Sequence, residues 1–391
     1  MWEDLIRSES KGKRSAADLS WFPDTHIKMP AYVHSGGVHW DAGRALQSRY
    51  FSPLATENDG VLLLQARKGS PNDASNLAEH SLRWVSPYRP FHPSREVAAT
   101  QVHLFDCWTS ELSGNEQPTI IGSPTVDAYF WDHLGAGSTT QLALMLWSAN
   151  RWMQQEMAPE FCIVPVRTLF NSETAKLRAA RVLLDHLVSL YGSLQSGKKA
   201  ADKGRWNGKL LAVTSLQTLS GVDPANNMVR NTISAVASLC GGADMVAVQP
   251  WNVFEMGYAD PEAAMLSENL FHLLIDEGRL GDVADPLSGS YFIESLTGKM
   301  VEAAWAVFLR LKDESLESIR AILQDGLLPE DRRFFREGES ELGESGSGVR
   351  QVIGETLYVD PESTEAQQTT SRFPLISPFD FEPRISLEVA L

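Results

Sequence analysis

The chain has 391 residues, with 34 Lys+Arg against 50 Asp+Glu and a formal charge of -16. That length suits one large α/β domain with appendages, or two domains, and that charge would repel nucleic acid and anionic membrane surfaces, so neither is expected as a partner. Three cysteines, Cys107, Cys162 and Cys240, are too few and too dispersed for a disulfide framework or a zinc knuckle; no apolar run approaches the ~18 residues of a membrane span, and a cytoplasmic protein is expected.

The first forty residues carry Trp2, Trp21 and Trp40 and the segment WFPDTHIKMPAY without long periodicity, which reads as an arm that packs on something else. From Val61 a repeating pattern begins: VLLLQ, a helical stretch near Asn72 to Trp84, QVHLF, a turn region, PTIIGS, and a helix from about Ser138 to Met157. It continues through FCIVPV at 161–166, the helix SETAKLRAARVLLDHLVSLYG, and KLLAVTS at 209–215. Asp223 and Pro224 then supply an N-cap and a first-turn proline before ANNMVRNTISAVASLC, with Gly241 and Gly242 as stops ahead of MVAVQP. Asp260, Pro261 and Gly278 repeat the device around PEAAMLSENLFHLLIDEG, and a last helix is expected from about Leu296 to Lys312.

Short apolar runs alternating with helices predict a parallel sheet. At least six such units, with no glycine-rich dinucleotide turn, predict a (β/α)8 TIM-type barrel, complete or trimmed, over an open doubly wound sheet. The expected division is an N-terminal arm at 1–45, the barrel at 46–325, and a C-terminal extension at 326–391 whose Ser, Thr and Pro suit an extended tail.

Barrel chemistry clusters at the C-terminal ends of strands, and those ends are poor in it. After LLAVT come Ser215, Gln217 and Thr218; after MVAVQ come Pro250, Trp251, Asn252 and Glu255; after FCIVPV come Arg167, Thr168, Asn171 and Glu173. None is a nucleophile beside a base. The nine histidines are scattered, His186 and His272 falling in helix interiors, and H-E-x-x-H is absent. Arg178 and Arg181 read as a solvated or interface helix face, and Asn226 and Asn227 as first-turn helix residues. The fragment DTH at 24–26 begins like the cobalamin-binding D-x-H-x-x-G signature, but Met29 holds the glycine position.

The stretches ETAKLRAARVLL, DPANNMVRNTISAVASLCGGADMVAVQPWN and GRLGDVADPLSGSYFIESLT resemble the barrel domain of methylmalonyl-CoA mutases, and GGADMVAVQP and DVADPLSGSYFIESLT resemble the small subunit of the heterodimeric enzymes. WEDLIRSESKGKRSAADLSWFPDTHIKMPAY is similar to that subunit's N-terminal arm. The likeness is densest from Gly135 to Thr297 and weakest over 41–118. It implies an adenosylcobalamin-dependent rearrangement of an acyl-CoA, with cobalamin held by a separate C-terminal domain.

The chain departs from that catalytic pattern. Catalytic subunits carry R-x-H-x-Q-T-S-G before a D-P-Y-N-N helix; here the histidine position falls on Leu211, the glutamine on Val213 and the tyrosine on Ala225. The histidine of the next unit's S-L-H-T-N falls on Ala247. Leucine can only pack where histidine can move a proton or stabilise an oxygen, and losing such a group forfeits about 10²- to 10⁴-fold in rate. Leu211 and Val213 would instead fill the barrel axis.

The resemblance therefore implies a non-catalytic small subunit that stabilises a large catalytic mutase subunit in a heterodimer. No cofactor, metal or catalytic residue is expected on this chain, and adenosylcobalamin is expected in the partner. Two rivals remain open: a catalytic acyl-CoA mutase barrel served by a separate cobalamin subunit, and a stand-alone homodimeric acyl-CoA-binding or regulatory protein.

Overall fold

The computed structural model describes residues 2–13, 15–30, 33, 50–56, 61–64, 67–68, 81–85, 101–105, 123–194, 206–256, 260–280, 283, 285–323 and 331, with backbone alone over 50–105. Helix α1 spans Trp2–Glu9, and strands β1 (Trp21–Asp24) and β2 (Ile27–Met29) form an antiparallel hairpin. The expected arm thus contains regular structure. Ile27 and Met29, which alternate with the exposed Lys28, point into the main hydrophobic core.

Strands β3 (Tyr50–Thr56), β4 (Val61–Leu64), β5 (Arg67–Lys68), β6 (Ser81–Val85), β7 (Gln101–Phe105), β8 (Ser123–Asp127), β9 (Phe161–Val166), β10 (Lys209–Thr214) and β11 (Met245–Val248) make one sheet. Pairing is parallel from β6 through β7, β8, β9 and β10 to β11, and β11 also pairs in parallel with β3. A mixed α/β architecture with a parallel sheet is therefore present, as expected.

One region differs from a regular (β/α)8 pattern. Strand β4 runs antiparallel to both β3 and β6. Only residues 57–60 separate β3 from β4, far short of the dozen or so needed for a parallel crossover. The helical stretch expected near Asn72 to Trp84 is also corrected at its end, because Ser81–Val85 is strand β6. S-L-R-W-V alternates with period two, and pairing with β4 and β7 on either side fixes it as strand.

The further helices are α2 (Tyr129–His133), α3 (Ser138–Gln154), α4 (Phe170–Leu194), α5 (Ala225–Cys240), α6 (Val253–Met256), α7 (Pro261–His272), α8 (Tyr291–Leu311) and α9 (Leu316–Ile322). Five of them, α3, α4, α5, α7 and α8, occur where apolar spacing and caps place them, with shifted ends, and the short α2, α6 and α9 are additions to the expected set. α8 begins five residues before the expected Leu296. Asp260 caps α7 by accepting from Glu262 N at 3.0 Å, with Pro261 in the first turn. For α5 the helix is assigned from Ala225, yet Asp223 Oδ1 still accepts from Asn226 N at 3.4 Å. Gly242 adopts φ 78° directly after the C-cap Gly241, a left-handed stop that a side chain would oppose.

The core lies between sheet and helices. Val126 of β8, Cys162, Val164 and Val166 of β9, Leu210 and Ala212 of β10, and Val246 and Val248 of β11 pack with apolar residues of α3, α4 and α8. Helix α3 is buried along Ser138–Asn150, clasped between α4 and α8. Among the described residues no helix is long and apolar enough to cross a membrane.

Candidate functional site

Side chains alternate along a strand, so the residues between those core positions occupy the opposite face of the sheet. On that face Leu211 pairs in register with Ile163 and Met245, and Val213 with Pro165 and Ala247. Leu211, Val213 and Ala247 are 1%, 0% and 0% exposed. Three of the four positions singled out by resemblance are thus assembled on one buried apolar face of β10 and β11. Ala225, the fourth, is exposed in the first turn of α5.

Polar groups gather just beyond, where the strands end. Asp127 closes β8 and caps α2, its Oδ1 accepting from Tyr129 N at 2.9 Å and Phe130 N at 3.2 Å. That turn aims the Tyr129 hydroxyl across to β10 and β11, where it donates to Thr214 O at 3.3 Å and accepts from Gln249 Nε2 at 2.8 Å. Gln249 N in turn donates to Thr214 Oγ1 at 2.8 Å.

A charged centre lies beside this lattice. Arg167, directly after β9, donates through Nε to Asp132 Oδ1 at 2.7 Å and through a terminal nitrogen to Ala136 O at 3.0 Å. Asp132 Oδ2 accepts a very short hydrogen bond from the Ser215 hydroxyl, and Oδ1 also accepts from Gln141 Nε2 at 3.2 Å. Gln141 Oε1 accepts from Lys176 Nζ at 3.1 Å, and Lys176 pairs with Glu173 at 2.5 Å. Burial works to lower the Arg167 pKa, but the charges of Asp132 and Glu173 prevail and raise it above its ordinary value. Lys176 goes the other way: desolvation outweighs Glu173 and lowers it.

Chemically this network is a brace. Ser215 has a carboxylate partner, but that carboxylate is already engaged by the Arg167 guanidinium and the Gln141 amide. Sequence reading singled out Ser215, Arg167 and Glu173 separately; their partners Asp132, Gln141 and Lys176 went unnoticed. The signal available was the presence of charged residues inside otherwise apolar helix stretches, which demand a partner when buried.

Arg178 and Arg181 need a correction. Instead of forming a solvated or interface face, Arg178 bonds Asp285 at 2.6 Å and Glu294 at 2.7 Å, and Arg181 bonds Asp244 at 2.6 Å, all within the chain. Both turn toward the ends of neighbouring elements, where carboxylates await them. The histidines stay apart: His186 is exposed and meets Trp305 edge-on with centroids 4.7 Å apart, and His272 ends α7 and pairs with Asp276 at 2.7 Å. His34, His39, His80 and His92, together with Trp40, lie outside the described residues, as do the side chains of Trp2, Trp21, His103 and His133.

DTH at 24–26 is the turn of the β1–β2 hairpin. Asp24 Oδ2 accepts from Thr139 N at 3.0 Å, His26 is exposed, and Met29 is fully buried. Among the described residues no group of three His, Cys, Asp or Glu side chains could hold a metal ion.

Asn227 behaves as more than a first-turn residue. Its Nδ2 donates to Ser220 O and Trp251 O, both at 2.8 Å, and its Oδ1 accepts from Ser220 N at 2.9 Å, tying together the loops after β10 and β11. Substitution Asn227→Ala strands those buried backbone groups and is expected to cost about 1–3 kcal/mol, measurable as a lowered urea midpoint with an unchanged m-value.

Comparison with known proteins identifies the family. Residues 143–370 match the model of the methylmalonyl-CoA mutase family. The Streptomyces virginiae methylmalonyl-CoA mutase small subunit is 30% identical over 66% of this chain and 41% of its own length. The Escherichia coli methylmalonyl-CoA mutase is 33% identical over 81% of this chain and 42% of its own length. The Propionibacterium freudenreichii small subunit is 25% identical over 47% of this chain. The chain thus spans about two-fifths of the length of the first two relatives, and its matches include both small subunits and proteins named simply as the mutase. With more than half of its residues matched by the family model, the chain belongs to the methylmalonyl-CoA mutase family.

Proposed function

We propose that this chain is a non-catalytic, small-subunit-type member of the family, whose role is to stabilise or position a larger catalytic mutase chain that holds adenosylcobalamin and isomerises the acyl-CoA. The observation that carries the reading is the buried apolar set Leu211, Val213 and Ala247, at the positions where the family's pattern has histidine, glutamine and histidine. A rearrangement needs groups there that move a proton or stabilise an oxygen, and these side chains can do neither.

We further read the sheet as a barrel of eight strands, β3, β4, β6, β7, β8, β9, β10 and β11, in which the β11–β3 pairing supports closure. Within it Leu211 and Val213 occupy the interior. The described residues do not fit cobalamin: the fragment that starts like its signature is a hairpin turn whose Asp24 is bonded to α3 and whose fifth following position, the glycine of the signature, is a packed Met29. No step of the chemistry is routed through this chain.

A second reading, a retained acyl-CoA pocket, is favoured by one observation. Gln249 Oε1 and Asn231 Oδ1, both on residues 1% exposed, have no donor partner, so the end of β11 keeps acceptors that a polar ligand could meet.

Co-purification from the native host separates the readings. The expected result is a larger mutase chain recovered in equal amount, with the isolated chain neither turning over methylmalonyl-CoA nor binding CoA esters saturably in calorimetry. Turnover by this chain with only a cobalamin-binding subunit added would refute the non-catalytic role. Saturable binding without a larger partner would favour the pocket.

A further inference from the structure

Two aspartates distant in sequence meet on the N-terminus of α3. Asp24, at the end of β1, accepts from Thr139 N at 3.0 Å through Oδ2 and from His26 N at 3.2 Å through Oδ1. Asp331 accepts from Gly137 N at 2.8 Å through Oδ2, and its Oδ1 bonds the Thr25 hydroxyl at 2.5 Å. Both aspartates are buried, at 0% and 1% exposed.

Gly137 shows how closely the two approach. A Cβ built there would lie 2.8 Å from Asp24 Oδ2 and 3.0 Å from Asp331 Oδ1, so both carboxylates press on one glycine that has no side chain to keep them off. A helix N-terminus carries about half a positive charge, enough to favour one buried carboxylate more than two. Hydrogen bonds from Gly137 N, Thr139 N and Thr25 position the pair, but none of them supplies a full counter-charge.

The surrounding charges can be counted off. Arg167 is near enough to feel the charge of Asp331, but it is committed to Asp132. Behind it lie Glu173 and Lys176, paired with each other. On the hairpin His26 and Lys28 are exposed, and from α8 Lys299 donates to Lys28 O at 2.7 Å. No cation is bonded to either aspartate among the described residues.

We propose that Asp24 and Asp331 form a proton-gated clasp, in which one proton held by the pair lets both carboxylates sit on the N-terminus of α3 and so ties the 21–29 hairpin and the chain at residue 331 to that helix. The Thr25 hydroxyl suits this role, since it donates to an ionised carboxylate and accepts from a protonated one. Burial first, and the charge of Asp24 second, raise the Asp331 carboxyl above the ordinary carboxylate range. The folded clasp therefore holds a proton that the unfolded chain releases near pH 3.9. Its stabilisation is complete below that value and is lost as the pH rises through the raised folded value, where a second negative charge appears beside the first.

Hydrogen exchange of the 21–29 segment in the full chain tests this, read as protection relative to unstructured peptide at each pH. As the pH rises from the ordinary carboxylate value of about 3.9 through the raised folded value, protection in the wild type is expected to fall, by up to roughly tenfold per unit as one proton is lost. Asp331→Asn, which keeps the shape and removes the titration, should hold protection flat. Should that variant fail to fold, Asp24→Asn takes its place: without the neighbouring charge the Asp331 carboxyl is raised less, so the fall should shrink and end at lower pH. Protection that is constant in the wild type, or a slope retained unchanged in the variant that folds, overturns the clasp.

Discussion

Arg178→Met is expected to lower the unfolding free energy by about 3–5 kcal/mol, the usual result of removing one partner from a buried ion pair. Arg178 sits on α4 with its side chain 6% exposed and reaches two carboxylates, Asp285 before α8 and Glu294 within it, whose side chains are 8% and 7% exposed. Methionine fills a similar volume but leaves two buried anions facing each other without a cation. The wild-type arrangement carries a compensating cost of desolvation, so removing all three charges together should be much milder than removing the arginine alone. Arg178→Met combined with Asp285→Asn and Glu294→Gln should therefore recover a large part of the loss. Urea unfolding of the single and triple variants measures both effects, and a triple variant less stable than the single one would contradict the argument.

That ion pair also marks where sequence reading stops. Strands β9 and β10 and helices α3, α4 and α7 were legible because their signals are local: uninterrupted apolar runs of strand length, helical spacing, and Asp-Pro at a helix start. The partners of Arg178 lie 107 and 116 residues further on, and nothing in the arginine's own helix distinguishes a buried position from a solvated one. The same holds for Asp331 and Thr25, which are 306 residues apart. Strand β6 failed for a different reason. Five residues of S-L-R-W-V are compatible with a strand or with a helix end, and their neighbours β4 and β7 decide between them. At the candidate site the sequence disclosed which chemical groups are missing, because each position is read within its own strand. It did not disclose the brace of Asp132, Arg167, Gln141 and Lys176, whose members come from four different elements.

Leu211→His, which writes back one residue of the family's pattern, should cost on the order of 3 kcal/mol, from lost apolar burial and from an imidazole nitrogen without a partner. Leu211 is 1% exposed and its register neighbours are Ile163 and Met245, neither of which can accept or donate strongly. Burial among them favours the neutral ring and depresses the pKa of the new histidine below about 6.5. In the window beneath that value the unfolded chain binds the proton and the folded chain does not, so stability should fall with falling pH, by up to about 1.4 kcal/mol per unit. The wild type has no titrating group at this position, and the difference between the two pH profiles isolates the effect. Val213 lies two residues on and on the same face, so adding Val213→Gln offers the ring a hydrogen-bond partner. The double variant should lose less than the sum of the two single losses, with a coupling of about 0.5–3 kcal/mol. Additive losses would mean that the two positions do not share one interior. Neither variant should turn over methylmalonyl-CoA, because Ala247 and Ala225 still stand at the other two positions. A gain of activity from Leu211→His alone would show that the scaffold had kept a working site around a single missing group.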